Sequence, residues 1–169
     1  DASALEYFDS YALDILRSAY AQIPQKAQAA IFFEQEIQPG SGKKIVDQWY
    51  QLYQGCLAML DQSWFSQSAK EHDEYRVFRH AIPVLVNSIL RQYHQTKIGT
   101  DFTVPNEHFF DLFELYRRNL RDAGLWYCIF GHIADNHLHV NILPQNDQEA
   151  DLGWEIYRKI AHRIIEWGG

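Results

Sequence analysis

The chain has 169 residues, of which 47% are hydrophobic and 15% aromatic, enough for one globular domain with a buried core. Its formal net charge of −7 argues against a general nucleic-acid-binding protein, because phosphate binding requires clustered lysines and arginines. The sequence contains no apolar run of the roughly eighteen residues that a transmembrane helix needs. Cys56 and Cys128 both have apolar neighbours, which predicts buried free thiols in a reducing, cytoplasmic compartment.

The N-terminal half combines one strand pattern with several helical patterns. Ser3 and Glu6 have the spacing of a capping box, and the apolar residues that follow repeat at helical intervals up to about Tyr20. Pro83 is expected to be the first residue of a short helix, a position that proline favours. The elements predicted in this half are helices over 3–20, 43–60, 68–80 and 83–91 and a strand over 29–36.

The C-terminal half supplies the other strands. A strand is predicted over 97–105, followed by a helix from the N-cap Asn106 to about Asp122, a hairpin, and a last helix that begins at the capping pair Asn146 and Glu149. These elements predict an α+β fold of ferredoxin-like shape, an antiparallel sheet of about four strands with helices packed on one face. Four aromatic residues at helical spacing are expected to pack in its core: Trp49, Tyr53, Trp154 and Tyr157.

The hairpin carries three histidines, His132, His137 and His139. Asp135 and Asn136 suit a two-residue turn because both tolerate a positive φ, and this turn would set His132 directly opposite His139. Cross-strand Cβ atoms lie about 4.5–5.5 Å apart, close enough for two imidazoles to share one ion. Alternation along the strand would put His137, His139 and Asn141 on one face. The pattern therefore predicts a divalent metal site, with Zn²⁺ as the first choice.

Other interpretations of the histidines stay open at this point. Three histidines with an open position for water are also typical of a zinc-dependent hydrolase that acts independently. Alternatively, the chain is a non-catalytic, ferredoxin-like binding module in which the histidines are structural. The remaining histidines have no ligand pattern around them and are expected to be surface or helix residues: His72, His80, His94, His108 and His162.

The hairpin and two segments before it form an ordered set of motifs. Residues 131–139 align without a gap with Gly-His-x-Gly-Asp-Gly-Asn-x-His, and Lys97, Asp101 and Val104-Pro105 match Lys-x-x-x-Asp-x-x-Val-Pro. An arginine followed by Ile-Pro matches Arg79 and its successors. Over nearly its whole length the chain thus resembles the C-terminal domain of FAD-linked oxidases of the vanillyl-alcohol-oxidase superfamily, of the glycolate oxidase, D-lactate dehydrogenase and D-2-hydroxyglutarate dehydrogenase type.

This resemblance implies that residues 1–169 are the substrate-side or cap domain of an enzyme that oxidises a small D-2-hydroxy acid to the 2-oxo acid. It implies FAD, held mainly by a flavin-binding domain of the same polypeptide. His132 and His139 would be metal ligands in members that use a metal, with His137 as a candidate third ligand. Arg79 and Lys97 would bind the substrate carboxylate, and Asn141 would lie near the substrate.

The sequence also departs from the family pattern. Ala134 and Asn136 stand where the family has glycine, and His137 stands where it has asparagine. The family continues after its last helix with Gly-Gly-x-x-Ser-x-Glu-His-Gly, which contains the catalytic base, whereas this sequence stops at Gly169. We therefore expect a C-terminal piece of a longer flavoprotein, no catalytic base within the piece, and no turnover by the piece alone. Membrane association of the parent and its electron acceptor stay open.

Overall fold

An antiparallel sheet forms the centre of the molecule in the computed structural model, which describes residues 2–56, 58–66 and 68–169. Its six strands are β1 (Ala4–Asp9), β2 (Ala29–Glu34), β3 (Ile98–Gly99), β4 (Phe102–Thr103), β5 (Tyr127–His132) and β6 (His137–Ile142). The order across the sheet is β2-β1-β5-β6-β3, and β4 also pairs with β6. The two hairpin strands β5 and β6 therefore lie in the middle of the sheet.

The described residues form six α-helices: α1 (Ser10–Arg17), α2 (Gly42–Gln54), α3 (Ala69–Arg79), α4 (Ala81–Gln92), α5 (Phe109–Asp122) and α6 (Asp147–Glu166). The capping pair predicted for the last helix is confirmed, because the Asn146 side chain accepts a hydrogen bond from the Glu149 N–H at 2.9 Å. A 3₁₀ turn over Asn106–His108 precedes α5, so the N-cap of this helix is His108, two residues later than predicted.

The prediction of a helix beginning at Ser3 is wrong for its first part. Ala4–Asp9 is a strand that pairs with β2 on one side and with β5 on the other. The helix begins only at Ser10, where the Asp9 side chain accepts a hydrogen bond from the Ala12 N–H at 2.7 Å. Two neighbouring strands provide hydrogen-bond partners for the backbone of β1, and this tertiary pairing outweighs the local helix signal.

Helices cover both faces of the sheet, and each face has its own hydrophobic core. On one face Ile129 and Val140 pack with residues of α5 and α6. On the other face Phe8 and Cys128 pack with residues of α1, α3 and α4. Successive side chains of a strand point to opposite faces, so the neighbours Cys128 and Ile129 belong to different cores.

The α+β class and the antiparallel sheet are confirmed, with more strands than the four predicted. β1 replaces part of a predicted helix, and the strand predicted over 97–105 is divided into β3 and β4. The predicted fold has helices on one face of the sheet, whereas in the structure α1 and α4 form a layer on the second face. A strand such as β5, apolar on both sides, indicates burial between two layers and not one exposed face.

Several surface positions also differ from expectation. Cys56 is exposed, and Trp154 is 46% exposed, so the prediction that they are buried is wrong for both. Helix α2 ends at Gln54, earlier than predicted, and Leu57 of that predicted helix lies outside the described residues. Trp49 of α2 is half-buried and stacks on Phe33 of β2 with ring centroids 4.0 Å apart. No helix in the described ranges has both the length and the apolar character needed to cross a membrane.

Candidate functional site

The three histidines of the hairpin meet on one face of the sheet. His132 lies opposite His137, and His139 lies opposite Phe130, so the predicted pairing of His132 with His139 is wrong by two residues. The connection is a 3₁₀ turn over Ile133–Asp135 followed by Asn136 in the left-handed region at φ +53°, not a two-residue turn. A shift of two residues keeps every side chain on its face. The His132 and His139 rings therefore still approach, with centroids 5.4 Å apart.

The histidine cluster has a donor set that fits a divalent metal ion. One ring nitrogen from each of His132, His137 and His139 lies within 4.8 Å of one from each of the others. A tetrahedral ion with Zn–N bonds of about 2.1 Å needs nitrogens about 3.4 Å apart, so small ring movements suffice. Burial lowers the pKa of His139, and the adjacent His137 lowers it further, against the opposing effect of Asp101. A lowered pKa favours the neutral ring, the form that binds metals.

Two carboxylates contact the ring nitrogens of the three histidines. The Glu6 Oε1 atom lies 2.8 Å from His132 Nδ1. The Asp101 Oδ1 atom lies 2.7 Å from His137 Nε2 and 3.3 Å from His139 Nδ1. Carboxylates in this position orient imidazoles and raise their basicity as ligands. Sequence reasoning missed the role of both residues; for Glu6 the available signal was one acidic residue in the apolar run of β1.

Arg79, predicted to bind the substrate carboxylate, lies beside the histidine cluster. It forms an ion pair with Glu6 Oε1, the same atom that contacts His132. Its guanidinium also lies near the Phe32 ring, with Cζ 6.0 Å from the centroid. The Arg79 side chain is 23% exposed, and its Nε atom is buried without a hydrogen-bond partner in the described part of the chain. Arg79 is thus a partly buried cation with a free donor, unlike an arginine on a solvated helix face.

Lys97 and Asn141 come together further along the same face. A Cβ atom on Gly99 would lie 3.3 Å from Asn141 Oδ1 and 3.9 Å from Lys97 Cε, so all three residues share one small region. Asn141 is 3% exposed, and within the described ranges its Nδ2 donor has no partner. The structure therefore brings these predicted residues together beside β3, whereas Arg79 contacts Glu6 of β1.

The edge of the site is shaped by a break between β3 and β4. The pairs Gly99–Asn141 and Phe102–Leu138 belong to one continuous register, so no residue is inserted at the break. At the break the Val140 N–H donates its hydrogen bond to Oγ1 of the Thr100 side chain, at 2.9 Å, and not to the Thr100 carbonyl as in a regular strand pair. The Thr100 N–H donates to the Val140 carbonyl at 2.9 Å, and the Thr100 carbonyl oxygen accepts a hydrogen bond from the His139 ring.

Gly131 permits the close packing of the hairpin beneath the rings. Its φ is +138°, and a Cβ atom there would lie 2.7 Å from the His137 carbonyl oxygen and 3.0 Å from His139 Cδ2. Any larger residue would clash with backbone that carries the site. The first glycine of the signature thus has a steric role, whereas the two glycine positions occupied by Ala134 and Asn136 lie in the turn.

The histidines outside the hairpin do not join the cluster. Four of them are exposed: His72, His80, His94 and His162. His108 stacks on Trp167 with centroids 5.1 Å apart, and its Nδ1 atom lies 3.1 Å from Asp111 Oδ2.

Comparison with known protein families matches residues 1–169 to the family described as FAD linked oxidases, C-terminal domain. No curated protein sequence matches the chain. Because the family match spans the whole chain, this protein belongs to the FAD-linked oxidase C-terminal domain family.

Proposed function

We propose that this FAD-linked oxidase domain is the substrate side of a dehydrogenase that converts a D-2-hydroxy acid, of the lactate, glycolate or 2-hydroxyglutarate type, to the 2-oxo acid. The supporting observation is a pair of buried donors, Arg79 Nε and Asn141 Nδ2, that have no partner among the described residues. Arg79 contacts Glu6, the partner of His132, and Asn141 lies two residues after His139 on β6. Buried donors are rarely left unpaired, which favours an oxygen-rich ligand at this site.

In this proposal the chain's own residues bind and orient the substrate. Arg79 and Lys97 attract the carboxylate, Arg79 through its free Nε and Lys97 as a point charge. Asn141 donates Nδ2 to a substrate oxygen. Glu6 already neutralises part of the Arg79 charge, so Lys97 supplies the larger share of the uncompensated positive charge. The hydroxyl proton goes to a base that we do not assign to this chain.

Two non-protein groups, FAD and a divalent metal ion, complete the proposed site. FAD supplies the hydride acceptor, and we propose that it is held by a flavin-binding domain of the same polypeptide. A divalent metal bound by His132 and His139, with His137 as candidate third ligand, supplies the positive charge that lowers the hydroxyl pKa. The His132 side chain is 40% exposed, so this end of the sheet is accessible to a substrate and to a flavin ring from outside the chain.

The full-length protein should reduce a dye acceptor when D-lactate or D-2-hydroxyglutarate is added, and residues 1–169 alone should not. Replacing Lys97 by Ala should raise KM by at least about tenfold, because loss of a charge-assisted contact costs about 1.5–3 kcal/mol. Arg76→Ala controls for the loss of one positive charge, since Arg76 is exposed on α3 and has no role in the proposed site. Turnover by residues 1–169 alone, or no oxidation of any 2-hydroxy acid by the full-length protein, would contradict the proposal.

The second candidate is an independent zinc-dependent hydrolase, which the clustering of three histidines favours. It requires the isolated chain to bind one equivalent of zinc tightly and to lose it on replacement of either His132 or His137 by Ala. The proposed dehydrogenase requires little dependence on His137, because the family has asparagine there. Membership of an FAD-linked oxidase family supports the redox function over this hydrolase and over a non-catalytic binding module.

A further inference from the structure

We propose that Glu6 is a positioning residue that fixes both the tautomer of His132 and the orientation of Arg79. The effect of Glu6 on catalysis rests on the function proposed above, whereas its effect on His132 and Arg79 does not. Glu6 lies in the middle of β1, directly opposite His132 of β5. Its side chain is only 5% exposed, so the carboxylate is removed from water.

A buried carboxylate is costly unless cations and hydrogen-bond donors surround it. The Oε1 atom of Glu6 has both, since it accepts from His132 Nδ1 at 2.8 Å and from the Arg79 guanidinium. Glu6 thus links α3, which carries the arginine, to β5, which carries the histidine. The two partners lie 73 and 126 residues away along the chain.

The chemistry of the contact determines which nitrogen of His132 is available. An ionised carboxylate only accepts hydrogen bonds, so the Nδ1 atom of His132 must carry the proton. The Nε2 lone pair is then free for a metal ion or a substrate proton. Without Glu6, the neutral ring would exchange between both tautomers and would lose its fixed orientation.

The same oxygen restricts Arg79. Glu6 contacts Nη2, and the Phe32 ring lies near the guanidinium, while Nε remains without a partner among the described residues. A guanidinium held on one edge presents its other donors in a fixed direction, which reduces the entropy lost when a carboxylate binds. Glu6 thereby arranges a metal ligand and an anion-binding group together.

Asp101 provides a natural comparison within the same cluster. It contacts His137 and His139, but its side chain is 79% exposed against 5% for Glu6. Solvent screens an exposed carboxylate, and its side chain is less restricted. Glu6 should therefore control its histidine more strongly than Asp101 controls the other two.

The direct test is the tautomer of His132 in the wild-type chain, read from long-range ¹H–¹⁵N NMR correlations at a pH where the ring is neutral. We expect the Nδ1–H form of His132. Finding the Nε2–H form, or a mixture of both, overturns the proposal. This measurement needs no variant, flavin or substrate, so it separates failure of this inference from failure of the proposed dehydrogenase activity.

Variants test the consequence for binding. Glu6→Gln should weaken Zn²⁺ binding about 10–100-fold in competition with a chromophoric chelator, and Glu6→Asp should restore part of the affinity. Asp101→Asn is the matched control and should change the affinity less than Glu6→Gln does. In the full-length protein Glu6→Gln should also raise KM for the hydroxy acid, through Arg79. An unchanged His132 tautomer and unchanged Zn²⁺ affinity in a folded Glu6→Gln chain would refute the role of Glu6.

Discussion

Glu6 and Asp9 are both buried carboxylates of β1, and the protein stabilises them in different ways. Glu6 has a guanidinium and an imidazole as partners. Asp9 has backbone donors, among them the Ala12 N–H at 2.7 Å, because it is the N-cap of α1. Burial raises the pKa of Asp9 to about 6, against the opposing effect of the backbone hydrogen bonds. Of these two acidic residues three positions apart, only Glu6 has a cationic side chain within hydrogen-bond distance among the described residues.

The raised pKa of Asp9 predicts an unusual dependence of stability on pH. The folded chain holds the Asp9 proton more tightly than the unfolded chain, so this residue's contribution is greatest below the unfolded value of 3.8 and is lost as the pH rises to about 6. Asp9→Asn keeps the capping oxygen without the charge. Its free energy of unfolding at pH 7 should exceed that of the wild type by on the order of 2 kcal/mol.

Urea unfolding of both chains between pH 4 and pH 8 checks this prediction, with Asp151→Asn, at an exposed acidic residue of α6, as control. The difference between the Asp9→Asn variant and the wild type should widen up to about pH 6 and then stay constant. A wild type that is more stable than this variant at pH 7 contradicts the prediction.

At the scale of elements, the hairpin of β5 and β6 depends on a glycine at its centre. Gly131 has a φ of +138°, and the space for a Cβ atom is occupied by the backbone of β6. Gly124 also has a positive φ, +68°, but no atom lies within 4 Å of the position its Cβ would take. Alanine substitutions at these two positions therefore distinguish the free-energy cost of an unfavourable φ from the additional cost of a steric clash.

Gly131→Ala should lower the free energy of unfolding by about 3 kcal/mol or more, because backbone strain and a backbone clash act together. Gly124→Ala should lower it by about 1 kcal/mol, the cost of the left-handed conformation alone. Thermal or urea unfolding of the two variants measures both values. Equal losses would mean that the hairpin adjusts to the added methyl group, contrary to the tight packing around Gly131.

At the scale of the whole molecule, the sheet between two helical layers determines which groups reagents can reach. Cys128 lies at the centre of the sheet, and burial raises the pKa of its thiol. Cys56 follows α2 and is exposed. A thiolate is the reactive form of cysteine, so burial and the raised pKa both make Cys128 the less reactive thiol.

The native chain should therefore react with a thiol reagent at one rapid site. Cys56→Ser should abolish the rapid phase, and Cys128 should react at least about 10³-fold more slowly, because it requires unfolding of the core. In urea above the unfolding midpoint, both thiols of the wild type should react together. Two rapid thiols in the native chain would contradict the burial of Cys128.

The amino-acid sequence alone indicated the candidate residues of the site and much of its local structure. Alternation along β6 assigns His137, His139 and Asn141 to one face whatever the exact turn, since an error of two residues in register does not move a side chain across the sheet. The start of α6 was predicted correctly because the Asn146 side chain bonds backbone within the first turn of its own helix.

Only the tertiary structure decided what stands around the histidines. Glu6 and Arg79 meet His132 through pairing and packing between segments that are far apart in sequence, and no local pattern encodes that distance. For the same reason Ala4–Asp9 was predicted as a helix, although two neighbouring strands hold it extended. Local spacing specifies which groups are available, whereas the burial and the partners that tune them arise only when distant segments pack together.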